Sequence, residues 1–145
     1  MYEITYQEFL KEFRGIGFMN TSVEDQQYSL SDLINEDEIH LFYPKNFLFK
    51  EKSLEEAKLL FLMKNKIRIA SFLEEGYISI EDRSLKSIKK LIISHKNRIS
   101  SVLTIYFDDG DTFVLDSLND SEHHKHKLQK KIEEIYKYIQ EVIGN

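Results

Sequence analysis

Residues 103–115 read Leu-Thr-Ile-Tyr-Phe-Asp-Asp-Gly-Asp-Thr-Phe-Val-Leu, and this stretch contains the clearest structural signal in the chain. Apolar residues alternate on both sides of the Asp-Asp-Gly-Asp segment, as they do in strands that bury one face. An Asp-Gly pair between such strands is typical of a β-hairpin, because the tight turn needs positive φ angles that aspartate and glycine tolerate. The stretch therefore predicts an antiparallel hairpin.

The segment after the hairpin predicts one long amphipathic helix over residues 120–143. Asn119 and Glu122 have the spacing of an N-terminal cap, and Gly144 provides a stop. Between them, apolar residues recur at steps of four and three and form one stripe, which consists of Leu128, Ile132, Ile135, Ile139 and Val142. We expect this stripe to pack on the strands that precede it in the chain.

Residues 51–118 predict antiparallel strands that are joined by short turns. Residues 67–69 and 77–81 alternate between apolar and polar side chains, as half-buried strands do. The segments at 64–66 and 74–76, Lys-Asn-Lys and Glu-Glu-Gly, are typical of turns. This part of the chain should therefore supply most of a sheet.

Residues 53–63 support two interpretations. Ser53 and Glu56 have the spacing of a capping box, which favours a helical start. Residues 59–63, Leu-Leu-Phe-Leu-Met, form a short apolar run that is equally compatible with a buried strand. We favour a helical turn that leads into a strand.

The N-terminal segment, residues 1–50, begins with a predicted amphipathic helix. Thr5 and Glu8 have capping-box spacing, and Gly15 and Gly17 predict the end of the helix. One face of this helix is apolar and consists of Tyr6, Phe9, Leu10 and Phe13. A helix this short needs a partner surface to be stable.

A second short helix and a first strand are predicted in the rest of the N-terminal segment. The helix is expected near residues 30–36, where Ser29 or Ser31 can cap it and apolar residues share a face. Residues 38–43 favour a strand that ends at Pro44, because proline cannot donate to the ladder of a central strand.

Antiparallel strands followed by one long C-terminal helix make an α+β arrangement. Three stretches show this order of strands and turns most clearly. They are Leu-Met-Lys-Asn-Lys-Ile-Arg at residues 62–68, Ser-Leu-Lys-Ser-Ile-Lys-Lys-Leu at 84–91 and Ile-Tyr-Phe-Asp-Asp-Gly-Asp-Thr-Phe at 105–113. Over residues 59–143 the chain resembles a pleckstrin-homology-like (PH-like) domain of the bacterial kind. The resemblance implies an antiparallel sheet or partly open barrel, capped by the C-terminal helix, and a non-catalytic adaptor role. The basic lipid-binding motif of some relatives has no counterpart here.

Length and composition predict a single domain over residues 1–145. We expect three parts: residues 1–50 as a helical extension plus the first strand, 51–118 as antiparallel strands and 119–143 as the capping helix. The chain is 41% hydrophobic and 31% charged and contains no cysteine, so disulfides, thiolate metal sites and cysteine nucleophiles are excluded. Neither a signal peptide nor a transmembrane segment is recognisable, and a cytoplasmic location is the expectation.

Charge is distributed unevenly along the chain. The net charge is −5 overall, and it is −5 over residues 1–50, +4 over 51–100 and −4 over 101–145. In the middle part, six basic residues follow one another without an intervening acid: Arg83, Lys86, Lys89, Lys90, Lys96 and Arg98. Such a run is typical of a solvated strand edge, where lysine blocks unwanted pairing. It also suits a patch for an anionic partner, and it is our candidate ligand-binding site.

Catalytic and metal-binding patterns are weak in this sequence. Ser94, His95 and Asp116 are the residue types of a catalytic triad, but nothing in their spacing brings them together. His123 and His126 could share a helix face, but no second ligand pair follows them. The hairpin turn lacks the ligand spacing of a calcium loop. We therefore predict no catalytic residue, no metal site and no cofactor.

These observations favour a non-enzymatic binding or adaptor module whose partner is a protein. One alternative is a small enzyme with an unrecognised polar site. Another is a binder of anionic lipid or nucleic acid that uses residues 83–98. The sequence leaves the oligomeric state open.

Overall fold

In the computed structural model, which describes residues 4–17, 21–47 and 53–144, seven strands form two antiparallel sheets. The first sheet has the order β1 (Leu41–Lys45), β2 (Lys58–Leu62), β3 (Lys66–Phe72) and β4 (Ile78–Ser84). The second has the order β5 (Ile88–Lys96), β6 (Ser100–Phe107) and β7 (Thr112–Asp116). Over the described residues the two sheets do not close into a barrel.

Two helices precede the strands in the sequence and one follows them, which confirms the predicted α+β class. They are α1 (Tyr6–Gly17), α2 (Thr21–Leu33) and α3 (Lys125–Ile143). In the described part of the chain, none of the helices combines the length and the apolar character that crossing a bilayer would require.

α3 packs against both sheets and completes the core between them. Its apolar stripe is fully buried at Leu128, Ile132, Ile135 and Ile139. The stripe belongs to one core with inward side chains of both sheets, among them Leu60, Ile67, Leu103, Ile105 and Leu115. The predicted packing of this helix on the chain's own strands is therefore confirmed, and the helix ends before Gly144 as expected.

β2 is buried on both faces, because a helical layer covers the outside of the first sheet. Leu60 and Leu62 belong to the core between the sheets, whereas Leu59 and Phe61 belong to the core beneath the N-terminal helices. A strand that is covered on both sides has no position that favours a polar residue. This explains the unbroken apolar run at residues 59–63.

The N-terminal helices pack on the first sheet through aromatic side chains. The ring of Tyr6 lies 5.3 Å from that of Phe61, and the ring of Phe13 lies 5.2 Å from that of Phe72. Edge-to-face contacts of this kind add to the energy of burial. The sheet thus supplies the partner surface that α1 needs.

The second N-terminal helix was predicted in the wrong place. It was expected near residues 30–36, but α2 begins at Thr21 and ends inside that range. Its contact with the turn between β3 and β4 is polar: the buried Gln26 side chain donates hydrogen bonds to the carbonyl oxygens of Leu73 and Tyr77, both at 3.0 Å. Hydrophobic periodicity does not report such contacts, so the prediction followed the apolar residues alone.

The start of the last helix was also predicted wrongly. α3 begins at Lys125 rather than at Asp120, and Asn119 does not cap it. The buried carboxylate of Asp120 instead accepts hydrogen bonds from Tyr43 Oη and Lys45 Nζ, both at 2.7 Å. These contacts with β1 outweigh the local preference for a helix.

The predicted hairpin and the favoured interpretation of residues 53–63 are both confirmed. Ile105 of β6 lies opposite Phe113 of β7, and Gly110 in the turn has a φ of 91°. Leu54–Glu56 forms a single 3₁₀ turn that precedes β2. Local turn chemistry was sufficient in both places.

Two smaller boundary predictions need correction. α1 ends at Gly17, as predicted, but Gly15 lies inside the helix and does not stop it. Pro44 lies within β1, and Glu38 belongs to a 3₁₀ turn before it. β1 is an edge strand, where a missing backbone donor is tolerated.

An ion pair between β3 and β4 predicts an acid-sensitive contribution to stability. Arg68 donates two hydrogen bonds to Asp82, Nε–Oδ1 at 2.6 Å and Nη2–Oδ2 at 2.8 Å, and Lys66 Nζ lies 3.2 Å from the same carboxylate. Hydrogen bonding by Arg68 lowers the pKa of Asp82 to about 2. Because this pKa lies below that of the unfolded chain, the stabilisation is present above about pH 4 and is lost as the pH falls towards 2.

Asp82→Asn should therefore cost about 0.5–1 kcal/mol near neutral pH, since the carboxylate is partly exposed. Urea unfolding of both proteins over a series of pH values measures this difference. We expect the difference to shrink steadily below about pH 4. A difference that stays constant across the acid range would show that Arg68 does not hold this carboxylate ionised.

Candidate functional site

The structure separates the six residues of the predicted basic run. Lys90 and Lys96 lie on outward positions of β5, and the register shift between Ile88 and Lys90 leaves Lys89 exposed beside them. The remaining three lie off this strand: Arg83 on β4, Lys86 in a 3₁₀ turn and Arg98 in the turn between β5 and β6. The run therefore does not form one patch, but its β5 members share a surface.

Arg83 belongs to an ion cluster and is not available to an anionic partner. Its guanidinium donates to Asp109 Oδ2 at 2.9 Å, to Glu81 Oε2 at 3.3 Å and to Asp111. It also lies 4.4 Å from the centre of the Phe107 ring. Burial disfavours the charged form, but the hydrogen bonds with Asp109, Asp111 and Glu81 outweigh it and raise the pKa of Arg83. The cluster joins β4 to the β6–β7 turn.

The outer side of the second sheet is a candidate binding surface, which we call the β5–β7 face. It consists of Lys90, Ile92, Ser94 and Lys96 on β5, Val102, Thr104 and Tyr106 on β6, and Val114 on β7. Ile92 and Val114 are 43% and 36% exposed, and both lie opposite Thr104 in the register. Lys90 Nζ lies 4.5 Å from the centre of the Tyr106 ring. The face thus has an apolar centre between two lysines.

A polar cleft of about 620 Å³ lies between the first sheet and the β6–β7 hairpin, and we call it the β4 cleft. Its lining residues come from β2 to β4 and from the hairpin: Lys58, Ile69, Ser71, Ser79, Glu81, Arg83, Phe107, Gly110, Asp111, Thr112 and Phe113. Its volume is within the range of small-molecule sites.

The catalytic triple considered from the sequence does not assemble. His95 has its ring on the inner side of β5, where Nδ1 lies 2.7 Å from Ser101 Oγ and 3.4 Å from Glu133 Oε1 of α3. Ser94 lies on the opposite side of the strand. Asp116 accepts hydrogen bonds from the backbone that follows it. Ser94 and His95 therefore cannot act on a common substrate atom.

The acidic and histidine-rich segments form no metal site within the described ranges. No group of three or more histidine and carboxylate side chains there could hold a metal ion. In the hairpin, Asp109 Oδ1 accepts a hydrogen bond from the backbone N–H of Asp111 at 3.0 Å. Both carboxylates also contact Arg83, so they stabilise the turn.

Comparison with known protein families shows a match over most of the chain. The matching family is described as "Protein of unknown function (DUF3908)", and the match covers residues 7–133. The chain belongs to this family. The match runs from α1 through β7 into α3, so the N-terminal helices are part of the region that defines DUF3908. Comparison with curated proteins finds no match.

The β4 cleft of this DUF3908 protein was not among the sites predicted from the sequence. The signal was present in β4, where Ile78 and Ile80 alternate with Ser79, Glu81 and Arg83. Alternation alone does not tell which side of a strand faces a second sheet. Only the packing of the helices on Ile78 and Ile80 shows that the polar side is the inner one.

Proposed function

We propose that this DUF3908 protein is a non-enzymatic interaction module whose β5–β7 face binds an acidic segment of a protein partner. The observation that carries the proposal is the difference between the two sheets. Helices α1 and α2 cover the outer side of the first sheet, whereas no described element packs on the outer side of the second. A sheet side that is left open in this way offers a flat surface for a partner.

The composition of the β5–β7 face favours a protein over other anionic partners. Ile92 and Val114 form an apolar centre, and Lys90 and Lys96 lie at its margin. An apolar centre with a polar rim is the usual anatomy of protein–protein interfaces. Nucleic acid would require more cations and free aromatic rings, whereas Tyr106 is the one ring here and Lys90 lies over it.

Charge specifies the acidic character of the partner. Lys89, Lys90 and Lys96 have no carboxylate within 4.0 Å among the described residues. At the edge of the face, Asp116 Oδ1 accepts hydrogen bonds from backbone N–H groups, and its Oδ2 accepts one from Asn119 Nδ2. The rest of the chain carries the negative charge that makes the total −5. Such an asymmetric distribution orients an acidic partner towards this face.

The element order also supports the proposal that the chain is a PH-like adaptor of the bacterial kind. A sheet of four strands, a sheet of three strands and a final helix follow one another along the chain, and this order is the one that resembles a PH-like domain. We place its action in the cytoplasm, as expected from the cysteine-free composition.

Reversing two charges on the β5–β7 face should weaken binding of an acidic peptide by about tenfold, since each lysine contributes up to about 1 kcal/mol. The probe is a synthetic peptide of about ten residues, the length of a long strand, with glutamate and valine in alternation. Calorimetry compares the unaltered chain with the double variant Lys90→Glu, Lys96→Glu. The matched control is Lys130→Glu, Lys137→Glu on exposed positions of α3, which should bind like the unaltered chain.

Two further probes distinguish the partner classes. The first probe is a vesicle that contains phosphatidylserine, and the second is a DNA duplex. Binding of each is measured between about 50 and 200 mM salt. We expect neither to bind. If vesicles or DNA bind and the double variant Lys90→Glu, Lys96→Glu abolishes this binding, that ligand and not a protein is the partner. Equal peptide binding by all variants would refute the role of the β5–β7 face.

A further inference from the structure

The inner side of β4 is polar along its length, whereas the inner sides of β2 and β3 are polar only in one row. In the sheet register, Lys58 of β2, Ser71 of β3 and Ser79 of β4 lie side by side across three strands. In the next row on the same side, Leu60 of β2, Ile69 of β3 and Glu81 of β4 lie side by side. The second sheet leaves this margin uncovered, and the β4 cleft forms there. Polar residues on this side are therefore in contact with solvent.

The charged cluster of the β4 cleft contains one arginine and three carboxylates, so two negative charges stay unbalanced. Arg83 bridges Glu81, Asp109 and Asp111, so these carboxylates have a cation in place. Lys58 is different: its Nζ lies 3.5 Å from Ser71 Oγ, and no carboxylate of the described residues lies within 4.0 Å of it. Lys58 is thus a cation of the cleft that has no direct ion pair among the described residues, and it lies beside two hydroxyl groups.

We infer that the β4 cleft binds a small soluble organic anion, with its carboxylate or phosphate group at Lys58, Ser71 and Ser79. Neighbouring strands are about 4.8 Å apart, so the ammonium and the two hydroxyl groups can surround one oxyanion. A charged donor with neutral donors beside it is a strong combination for such a group. This site is separate from the β5–β7 face and does not depend on the function proposed for it.

The remainder of the cleft accounts for the organic part of the ligand. Ile69, Phe107 and Phe113 line it and are 7%, 2% and 9% exposed, so a ring or short chain touches only the edges of these side chains and otherwise lies against polar groups. The ion cluster of Arg83 holds the β6–β7 turn that forms the opposite wall. A volume of about 620 Å³ is larger than an inorganic ion needs.

NMR titration with phenyl phosphate and benzoate tests the inference. We expect amide shifts centred on residues 58, 71 and 79 and a dissociation constant of about 1 mM or below. Inorganic phosphate, which has no apolar part, should bind about threefold more weakly, because the cleft exposes little apolar surface. Lys58→Gln should weaken phenyl phosphate at least about tenfold, because it removes the charged donor. The double variant Ser71→Ala, Ser79→Ala should weaken it to a smaller extent.

Lys90→Gln on the β5–β7 face is the matched control and should leave the affinity for phenyl phosphate unchanged. An amide spectrum that retains its dispersion shows that each variant is folded. Absence of shifts with both organic probes, shifts outside the cleft, or equal binding by Lys58→Gln would overturn the inference. A lipid headgroup as the ligand would also overturn it. In that case the protein would sediment with anionic vesicles in a way that depends on Lys58, and phenyl phosphate would not reverse this binding.

Discussion

Asp120→Ala is expected to lower the free energy of unfolding by about 3 kcal/mol, at the lower end of the cost of breaking a buried ion pair. The Asp120 side chain is 1% exposed and accepts hydrogen bonds from Tyr43 Oη, Lys45 Nζ and the backbone N–H of Asp116. Alanine would leave the buried Tyr43 hydroxyl without its acceptor and Lys45 without its counter-charge. Lys45 is 20% exposed and can turn towards water, which keeps the loss at the lower end.

Urea unfolding followed by circular dichroism measures this loss. Asp37→Ala is the matched control, because Asp37 is exposed in a 3₁₀ turn, and we expect it to change stability by less than about 0.5 kcal/mol. Burial and the nearby Asp120 carboxylate raise the pKa of Tyr43 well above its ordinary value. Asp120→Ala should lower that pKa in an ultraviolet titration. Equal stability of the two alanine variants would show that the contact of Asp120 with β1 is not formed.

Phe61→Ala is expected to cost about 3–5 kcal/mol, the usual loss for a buried phenylalanine. Phe61 is fully buried on the side of β2 that faces the N-terminal helices, and its ring lies 5.3 Å from the rings of both Tyr6 and Phe42. The helical layer therefore loses its central contact with the sheet. Unfolding in urea, monitored by tyrosine fluorescence and circular dichroism, measures the change.

A milder variant keeps this prediction testable if the alanine variant does not fold. Phe61→Leu preserves most of the apolar volume and should cost less than about 1.5 kcal/mol. Tyr77→Ala removes an aromatic ring that is 66% exposed and should change stability by less than about 0.5 kcal/mol. If Phe61→Ala were as mild as Tyr77→Ala, the N-terminal helices would not pack on β2.

Much of the fold could be predicted because its signals are local. The Asp-Gly turn needs only its own backbone angles, and the stripe from Leu128 to Ile139 needs only helical periodicity. α2 could not be placed in this way, because its buried Gln26 is held by hydrogen bonds to carbonyl groups that lie far along the chain. The start of α3 was missed for the same reason, since Asp120 is held by β1.

The candidate sites were less accessible to sequence reasoning than the fold. The basic run was recognised, but adjacency in sequence grouped Arg83 with Lys90, although Arg83 is neutralised by the β6–β7 turn. Lys58 was not recognised at all, because its neighbours Ser71 and Ser79 come from two other strands. A binding site depends on which side chains converge, and convergence across strands requires the register.

The amino-acid sequence by itself determined the α+β class, the hairpin and the C-terminal helix, because turn geometry and hydrophobic period act over a few residues. Only the tertiary structure decided which sheet sides are covered. Helices from the start of the chain bury one side of the first sheet, and the β5–β7 face has no such cover within the described residues. Burial depends on segments that are distant in sequence, and the open face and the cleft are products of that packing.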